Sequence, residues 1–200
     1  MISREKALEI LQQNMQNQNL RRHCYAVEAV MRALARKLKT EEKINEEKWG
    51  IVGLLHDADY EKTKEKPEEH TLLVYRWLEE ALRQAQGKLG ETDQEILEAI
   101  LSHNYEHTGK NQPKNELEWS LYCCDELTGF IVAIALVMPD KKLSSVTVES
   151  ILKKFPQKAF AAAVKREQIA MCQEKLGIPL PEFVKIALEA MQGISGELGL

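Results

Sequence analysis

Adjacent histidine and aspartate side chains are the strongest chemical signal in this sequence. His56 and Asp57 follow directly after the apolar residues 51–55. An imidazole next to a carboxylate at the end of a buried helix costs free energy unless something binds the pair. A metal ion is the usual solution, because its charge balances the carboxylate and the ring nitrogen is a suitable ligand. The pair therefore predicts a metal site.

Further candidate ligands share a position on the apolar face of a predicted helix; they are His23, His70, His103 and Asp125. For example, His23 lies four residues before Val27, and Asp125 lies four residues after Leu121, so each joins an inward stripe. One such residue alone is more often a hydrogen-bonded core residue. The ordered set favours a shared cation, and its mixed nitrogen and oxygen donors suit Mn, Fe, Zn, Ni or Co alike.

Helices must position these residues, because apolar side chains recur at steps of three and four along nearly the whole chain. This pattern predicts an all-α fold in one domain, residues 1–200. Ser3 is expected to cap a first helix and Thr40 to begin a third helix, which leads residues 49–55 inward. Pro67 is expected to open a continuous fourth helix that carries His70. A later helix is predicted within residues 157–175.

Composition excludes several classes of function. The chain has 200 residues, 44% of them hydrophobic, and a net charge of −4, which gives no support for binding a nucleic acid polymer. The longest apolar stretch, residues 130–138, is shorter than the ~20 residues that span a bilayer, so we expect no membrane partner. The four cysteines form no C-x-x-C pair, which favours reduced thiols in a cytoplasmic protein.

The order of the candidate ligands resembles the HD-domain superfamily of metal-dependent phosphohydrolases. Its defining pattern, His…His-Asp…Asp, matches His23, the pair in Leu-Leu-His-Asp, and the aspartate in Cys-Asp-Glu-Leu-Thr-Gly. The resemblance implies an all-α helical bundle in which His23, His56, Asp57 and Asp125 ligate one metal ion.

Members with two more histidines between the pair and the final aspartate hold a second ion. Here His70 and His103 occupy that interval, so the resemblance implies one or two divalent ions, with Asp57 able to bridge two. The resemblance covers about residues 20–135. The region from about 146 to 200 is expected to be a helical extension, and no chemistry is assigned to it.

By this resemblance the protein is expected to hydrolyse a nucleotide or another small phosphorylated metabolite, through attack of a metal-bound hydroxide on phosphorus. Many members carry a lysine or glutamate three residues after the motif aspartate, where this chain has Tyr60; Asp59 is predicted instead to orient the water. Arg22, Lys62 and Lys64 are the predicted substrate-binding cations, and residues 62–66 are a candidate lid.

Three alternatives stay open at this point. The protein could be a non-catalytic metal- and nucleotide-binding regulatory HD module, which the departure at Tyr60 keeps in view. It could be a di-iron oxygenase on the same fold. It could also be a helical interaction module without metal. A homodimer is possible in each case.

Overall fold

The computed structural model describes residues 1–38 and 46–200, apart from the side chains of residues 85 and 86. Within these ranges the chain forms helices and turns and no strand, which confirms the predicted all-α fold. The expected helix start at Thr40 lies outside the described residues. Buried apolar side chains from Ile2 to Leu198 form one continuous cluster. That residues 1–200 form a single domain stays a prediction.

The helices follow one another along the chain as α1 (Arg4–Asn14), α2 (Gln18–Lys37), α3 (Glu46–Leu55), α4 (Tyr60–Thr63), α5 (Leu72–Gln86), α6 (Glu91–His103), α7 (Tyr105–Thr108), α8 (Glu116–Val137), α9 (Val148–Lys154), α10 (Arg166–Leu176), α11 (Leu180–Gln192) and α12 (Ser195–Leu198). Short 3₁₀ turns occupy Pro67–Glu69 and Leu143–Ser145. Ser3 caps α1 as predicted, since its hydroxyl accepts a hydrogen bond from the Lys6 amide.

Helix α3 packs closely against α2 and is buried on all sides from Trp49 to Leu55. Gly53 permits this approach, because a Cβ there would lie 2.9 Å from the Glu28 backbone. Protein interiors are close-packed, so a side chain at this position would push the helices apart. The contact fixes the end of α3, where the His56–Asp57 pair begins.

Helix α8 begins directly after Asn115, whose side chain accepts a hydrogen bond from the Glu118 amide at 3.0 Å and so caps the helix. Its 22 residues are long and apolar enough to cross a membrane by length and composition. However, 56% of its most apolar window is buried inside the protein, where it packs against α2 and α10. The helix thus serves as a core element that carries Asp125 into the interior.

The predicted fourth helix is wrong in one respect, because the segment is divided in two. Pro67 begins a 3₁₀ turn that ends at Glu69, Thr71 has a φ of 71°, and α5 begins at Leu72. The Asp59 carboxylate accepts hydrogen bonds from the amides of Thr71, Leu73 and Val74 at 3.1–3.2 Å. A carboxylate from a distant segment thus caps α5, and His70 is left in the turn before it.

The predicted helix over residues 157–175 is also wrong in its first half, where residues 158–164 form turns and a bend. The Arg166 guanidinium donates hydrogen bonds to the carbonyl groups of Phe160, Ala161 and Val164 and stacks 4.6 Å from the centre of the Phe130 ring. These bonds satisfy carbonyl groups that a helix would have paired within itself. Helix α10 therefore starts at Arg166, and Lys165 sits immediately before it.

Candidate metal centre

Five separate segments bring the predicted ligands together in the interior. The donors come from α2, the turn after α3, the turn before α5, the last residue of α6, and α8; they are His23, His56, Asp57, His70, His103 and Asp125. Two groups of three, His23–His56–Asp125 and His56–Asp57–His103, have all their donor atoms within 4.8 Å of one another. These two groups contain five of the predicted ligands, and the sixth, His70, joins them because its Nε2 lies 3.1 Å from Asp57 Oδ1.

Asp57 lies at the centre, and its two oxygens face different histidines. Its Oδ2 lies 3.7 Å from His23 Nε2 and 3.6 Å from His56 Nε2. Its Oδ1 lies 3.1 Å from His70 Nε2 and 3.3 Å from His103 Nε2. Donors that share an ion at ~2.1 Å are about 3–3.7 Å apart when the donor–ion–donor angle is roughly 90–120°, so both spacings suit a cation. We call the two sides the first half and the second half of the centre.

The first half is completed by Asp125, whose Oδ1 lies 2.8 Å from His23 Nε2 and 3.5 Å from His56 Nε2. His56 Nδ1 donates to the Gly53 carbonyl oxygen at 2.8 Å, which leaves Nε2 as the unprotonated nitrogen. That Nε2 is fully buried and has no hydrogen-bond partner among the described residues. A buried lone pair aimed at two carboxylates fits a metal ligand.

The second half depends on Asp59, whose expected place the structure corrects. Asp59 is fully buried, and its Oδ1 accepts a hydrogen bond from His70 Nδ1 at 2.7 Å. Because its oxygens also bind the amides that begin α5, the carboxylate lies behind His70, away from the reacting side predicted for it. Such a carboxylate–histidine contact orients the imidazole and directs Nε2 to a metal.

Charges in the cluster balance one another in the metal-free protein. Burial acts against ionisation of His23 and His70, but the neighbouring aspartates raise the pKa of His23 to about 9 and of His70 to about 10. Burial likewise opposes ionisation of Asp57 and Asp125, yet the surrounding histidines hold both carboxyl pKa values below their usual range. Burial lowers the pKa of His103. Protons on two histidines thus occupy the electrostatic role that a cation would take.

A cavity of about 330 Å³ opens beside the cluster. Besides five of the predicted ligands, its lining residues are Leu20, Tyr60, Asn104, Glu106, His107, Tyr122, Glu126, Gly129, Lys165 and Gln168. Sequence reasoning did not place Lys165 or Gln168 here, because a continuous helix over 157–175 gave no reason to bring them to this site. His107 lies in the last turn of the short helix α7 and also lines the cavity.

The predicted substrate-binding cations do not line this cavity, which is a second correction. The Arg22 guanidinium lies against the chain at Gly199, where a Cβ would be 2.8 Å from its Nη2. Lys62 donates to Asn14 Oδ1 at 2.7 Å and lies 4.7 Å from the Trp77 ring centre. Lys64 is exposed. Each of these basic side chains makes its contacts away from the cavity or is exposed, so proximity in sequence to a ligand did not bring it to the site.

A family model of the HD domain matches residues 20–135, which is more than half of the chain. The chain belongs to the HD domain family. HD domains bind divalent metals and are mostly metal-dependent hydrolases, and the histidine–aspartate cluster of this one is compatible with metal binding. The matched segment agrees with the predicted range and ends before Lys165 and Gln168. Comparisons with curated proteins and with solved structures found no match.

Proposed function

We propose that this HD domain is a metal-dependent phosphohydrolase that acts on a nucleotide or another small phosphorylated metabolite. The observation that carries the proposal is the division of Asp57, whose two oxygens face two separate sets of imidazole nitrogens. A carboxylate in that position suits a bridge between two ions, and pairs of ions recur in enzymes that transfer phosphoryl groups.

The distances divide the donors between the two halves. His23, His56, Asp57 and Asp125 would hold one divalent transition metal ion, and His70, His103 and Asp57 would hold a second. The donor set suits Mn, Fe, Zn, Ni or Co. When bound, such ions supply a water that deprotonates near neutral pH and positive charge against the phosphoryl oxygens.

The remaining residues prepare this site. The Gly53 carbonyl fixes the tautomer of His56, and Asp59 fixes the ring orientation of His70, so that both Nε2 atoms point to the centre of the cluster. Asn104 donates to the carbonyl oxygens of Pro67 and His70 at 2.9 Å, which holds the turn that carries His70. The cavity beside the cluster is large enough for a small phosphorylated compound.

The experiment combines metal analysis with a substrate panel. Protein purified without chelator is assayed for bound metal. Chelated protein is then reloaded separately with Mn²⁺, Fe²⁺, Zn²⁺, Ni²⁺ or Co²⁺ and assayed for phosphate release from nucleotides and sugar phosphates. We expect about two ions per chain and metal-dependent phosphate release.

Other outcomes identify other functions. Bound metal with saturable nucleotide binding and no turnover would replace the proposal with a regulatory module. Oxygen consumption by the reduced, iron-loaded protein, without phosphate release, would replace it with a di-iron oxygenase. The chelated protein without added metal is the control for both assays.

A further inference from the structure

The lining of the cavity includes residues that lie outside the segment matched to the HD domain. Lys165 and Gln168 line the cavity, whereas the match ends at residue 135. The Lys165 amide donates to Glu126 Oε2 at 3.1 Å, and Arg166 secures the preceding turn through its bonds to three carbonyl groups. The backbone of Lys165 is therefore held at the cavity from both sides.

Positive charge in the cavity is scarce once the metal-ligand histidines are set aside. Among the lining residues of the described chain, Lys165 is the one lysine, and no arginine is present. Its Nζ lies 3.9 Å from Glu106 Oε2, at the outer limit of an ion pair, and its side chain is 43% exposed. An ammonium group has three donors, so this distant contact leaves capacity for a phosphate oxygen.

Two carboxylates that line the cavity lie next to Lys165. Glu106 and Glu126 both line the cavity, and the Tyr122 hydroxyl donates a hydrogen bond to Glu106. A diphosphate or triphosphate has further negatively charged phosphates beyond the one that reacts. In this cavity those phosphates would lie near two carboxylates and one ammonium group. Like charges brought together in a site of reduced dielectric cost free energy. A hydroxyl group, by contrast, can donate to a carboxylate.

We propose that the site takes the phosphate monoester of a hydroxyl-bearing compound in preference to a diphosphate or triphosphate, and that Lys165 contacts the phosphate of that monoester. This inference narrows the proposed phosphohydrolase function and rests on it. In the reaction, water adds to phosphorus, the bond between phosphorus and the ester oxygen breaks, and the alcohol leaves with a proton while inorganic phosphate is formed. Glu106 would accept a hydrogen bond from the hydroxyl-bearing part.

The test uses the Mn²⁺-loaded full chain and matched series of nucleoside mono-, di- and triphosphates together with sugar monophosphates. We expect the kcat/KM of at least one monoester to exceed that of the corresponding triphosphate by about tenfold or more. Lys165→Met should raise KM for the monoester about tenfold with a smaller change in kcat, since one charge-assisted hydrogen bond is lost. Lys165→Arg should recover part of this loss.

Lys158→Met is the matched control, because Lys158 is exposed in the same segment and does not line the cavity. It should leave KM unchanged. A second readout is the thermal stabilisation of the Mn²⁺-loaded protein by inorganic phosphate, which Lys165→Met should weaken and Lys158→Met should not. Glu106→Gln should raise the rate with triphosphate relative to monophosphate.

The outcomes separate this inference from the function on which it rests. Equal hydrolysis of triphosphates and monoesters, or a Lys165→Met protein that behaves like Lys158→Met in both readouts, would overturn the inference and leave phosphohydrolase activity standing. Absence of phosphate release from every compound with every metal would overturn the proposed function, and the inference with it.

Discussion

The two halves of the candidate metal centre are built from different local structure. In the first half, His23 and Asp125 project from within the long helices α2 and α8, and His56 directly follows the buried α3. In the second half, His70 lies in a turn and His103 is the last residue of α6. The helices that support the first half are packed into the core along much of their length, whereas the second half depends on a turn held by Asp59 and Asn104.

This difference has a consequence for affinity. The first half offers two imidazoles and a carboxylate of its own in addition to Asp57, whereas the second half offers two imidazoles in addition to Asp57. More donors on a more rigid support bind an ion more tightly. We expect two binding steps, with the first half filled at the lower metal concentration.

The largest effect is expected from Asp57→Asn, because this residue is common to both halves. An asparagine carries one oxygen and one amide nitrogen, and the nitrogen cannot serve as a ligand. We expect the loss of both ions and a fall in the rate of phosphate release on the order of 1,000-fold or more. Such a fall corresponds to several kcal/mol of metal-dependent stabilisation of the transition state. Metal analysis and the phosphate assay measure the two effects.

The control for Asp57→Asn is Asp140→Asn. The Asp140 carboxylate does not line the cavity, and it accepts hydrogen bonds from the Lys142 amide and the Ser145 hydroxyl. The control variant should retain two ions and full activity. An Asp57→Asn protein that remains folded by circular dichroism and keeps its activity would refute the bridging role.

Removing one histidine from each half should separate the two binding steps. His23→Ala should lower the metal affinity of the tighter step, and His103→Ala that of the weaker step, each by about 100-fold or more. Even a residue that only orients a ligand changes metal affinity by about 10–100-fold. Isothermal titration of the chelated protein with Mn²⁺ would measure both steps. Loss of the same step in both variants would contradict two distinct halves.

Smaller effects are expected from the residues that orient the histidines. Asp59→Asn should weaken the second binding step by about 10–100-fold, because the amide alters the partner of His70 Nδ1. Thr128→Val removes the hydroxyl 3.3 Å from His23 Nδ1 and should weaken the first step by less than Asp59→Asn weakens the second. Titrating both variants with Mn²⁺ tests whether Asp59 affects only the second binding step and Thr128 only the first. An equal loss from both steps in Asp59→Asn would argue against a local role.

A further effect is a change in the stability of the fold with pH. A histidine whose folded pKa lies above its ordinary value of 6.5 stabilises the fold below that value, and the contribution is lost as pH rises through the folded pKa. With folded values of about 9 for His23 and about 10 for His70, these two residues should make the metal-free protein progressively less stable from pH 7 to pH 10.

Bound metal should reverse this trend, because ions displace the two protons and bind better as pH rises. The difference in Tm between Mn²⁺-loaded and metal-free protein should therefore increase from pH 6 to pH 9. Near pH 9 the metal affinity of the second half should rise more steeply with pH than that of the first half, because His70 has a higher pKa than His23. A difference in Tm that is constant over this range would show that the histidines of the metal-free protein are already neutral.

The local pattern of the sequence was enough to predict the helical class, which the structure confirms, and to name six candidate ligand residues, which the structure brings together. Apolar residues at steps of three and four place His23 and Asp125 inward, and the pair His56–Asp57 ends a segment that had to be buried. The first half could be predicted in this way because its ligands depend on helix periodicity, which is a property of neighbouring residues.

Tertiary structure alone decided how the second half and the cavity are built. Asp59 lies in the turn before α4, yet its carboxylate caps α5 and orients His70 through contacts with residues 11–15 positions further along the chain. Lys165 reaches the cavity because Arg166 pairs with carbonyl groups that the helical pattern assigned to a continuous helix. Hydrogen bonds between distant segments have no periodicity along the chain, so their outcome is fixed only when the helices pack.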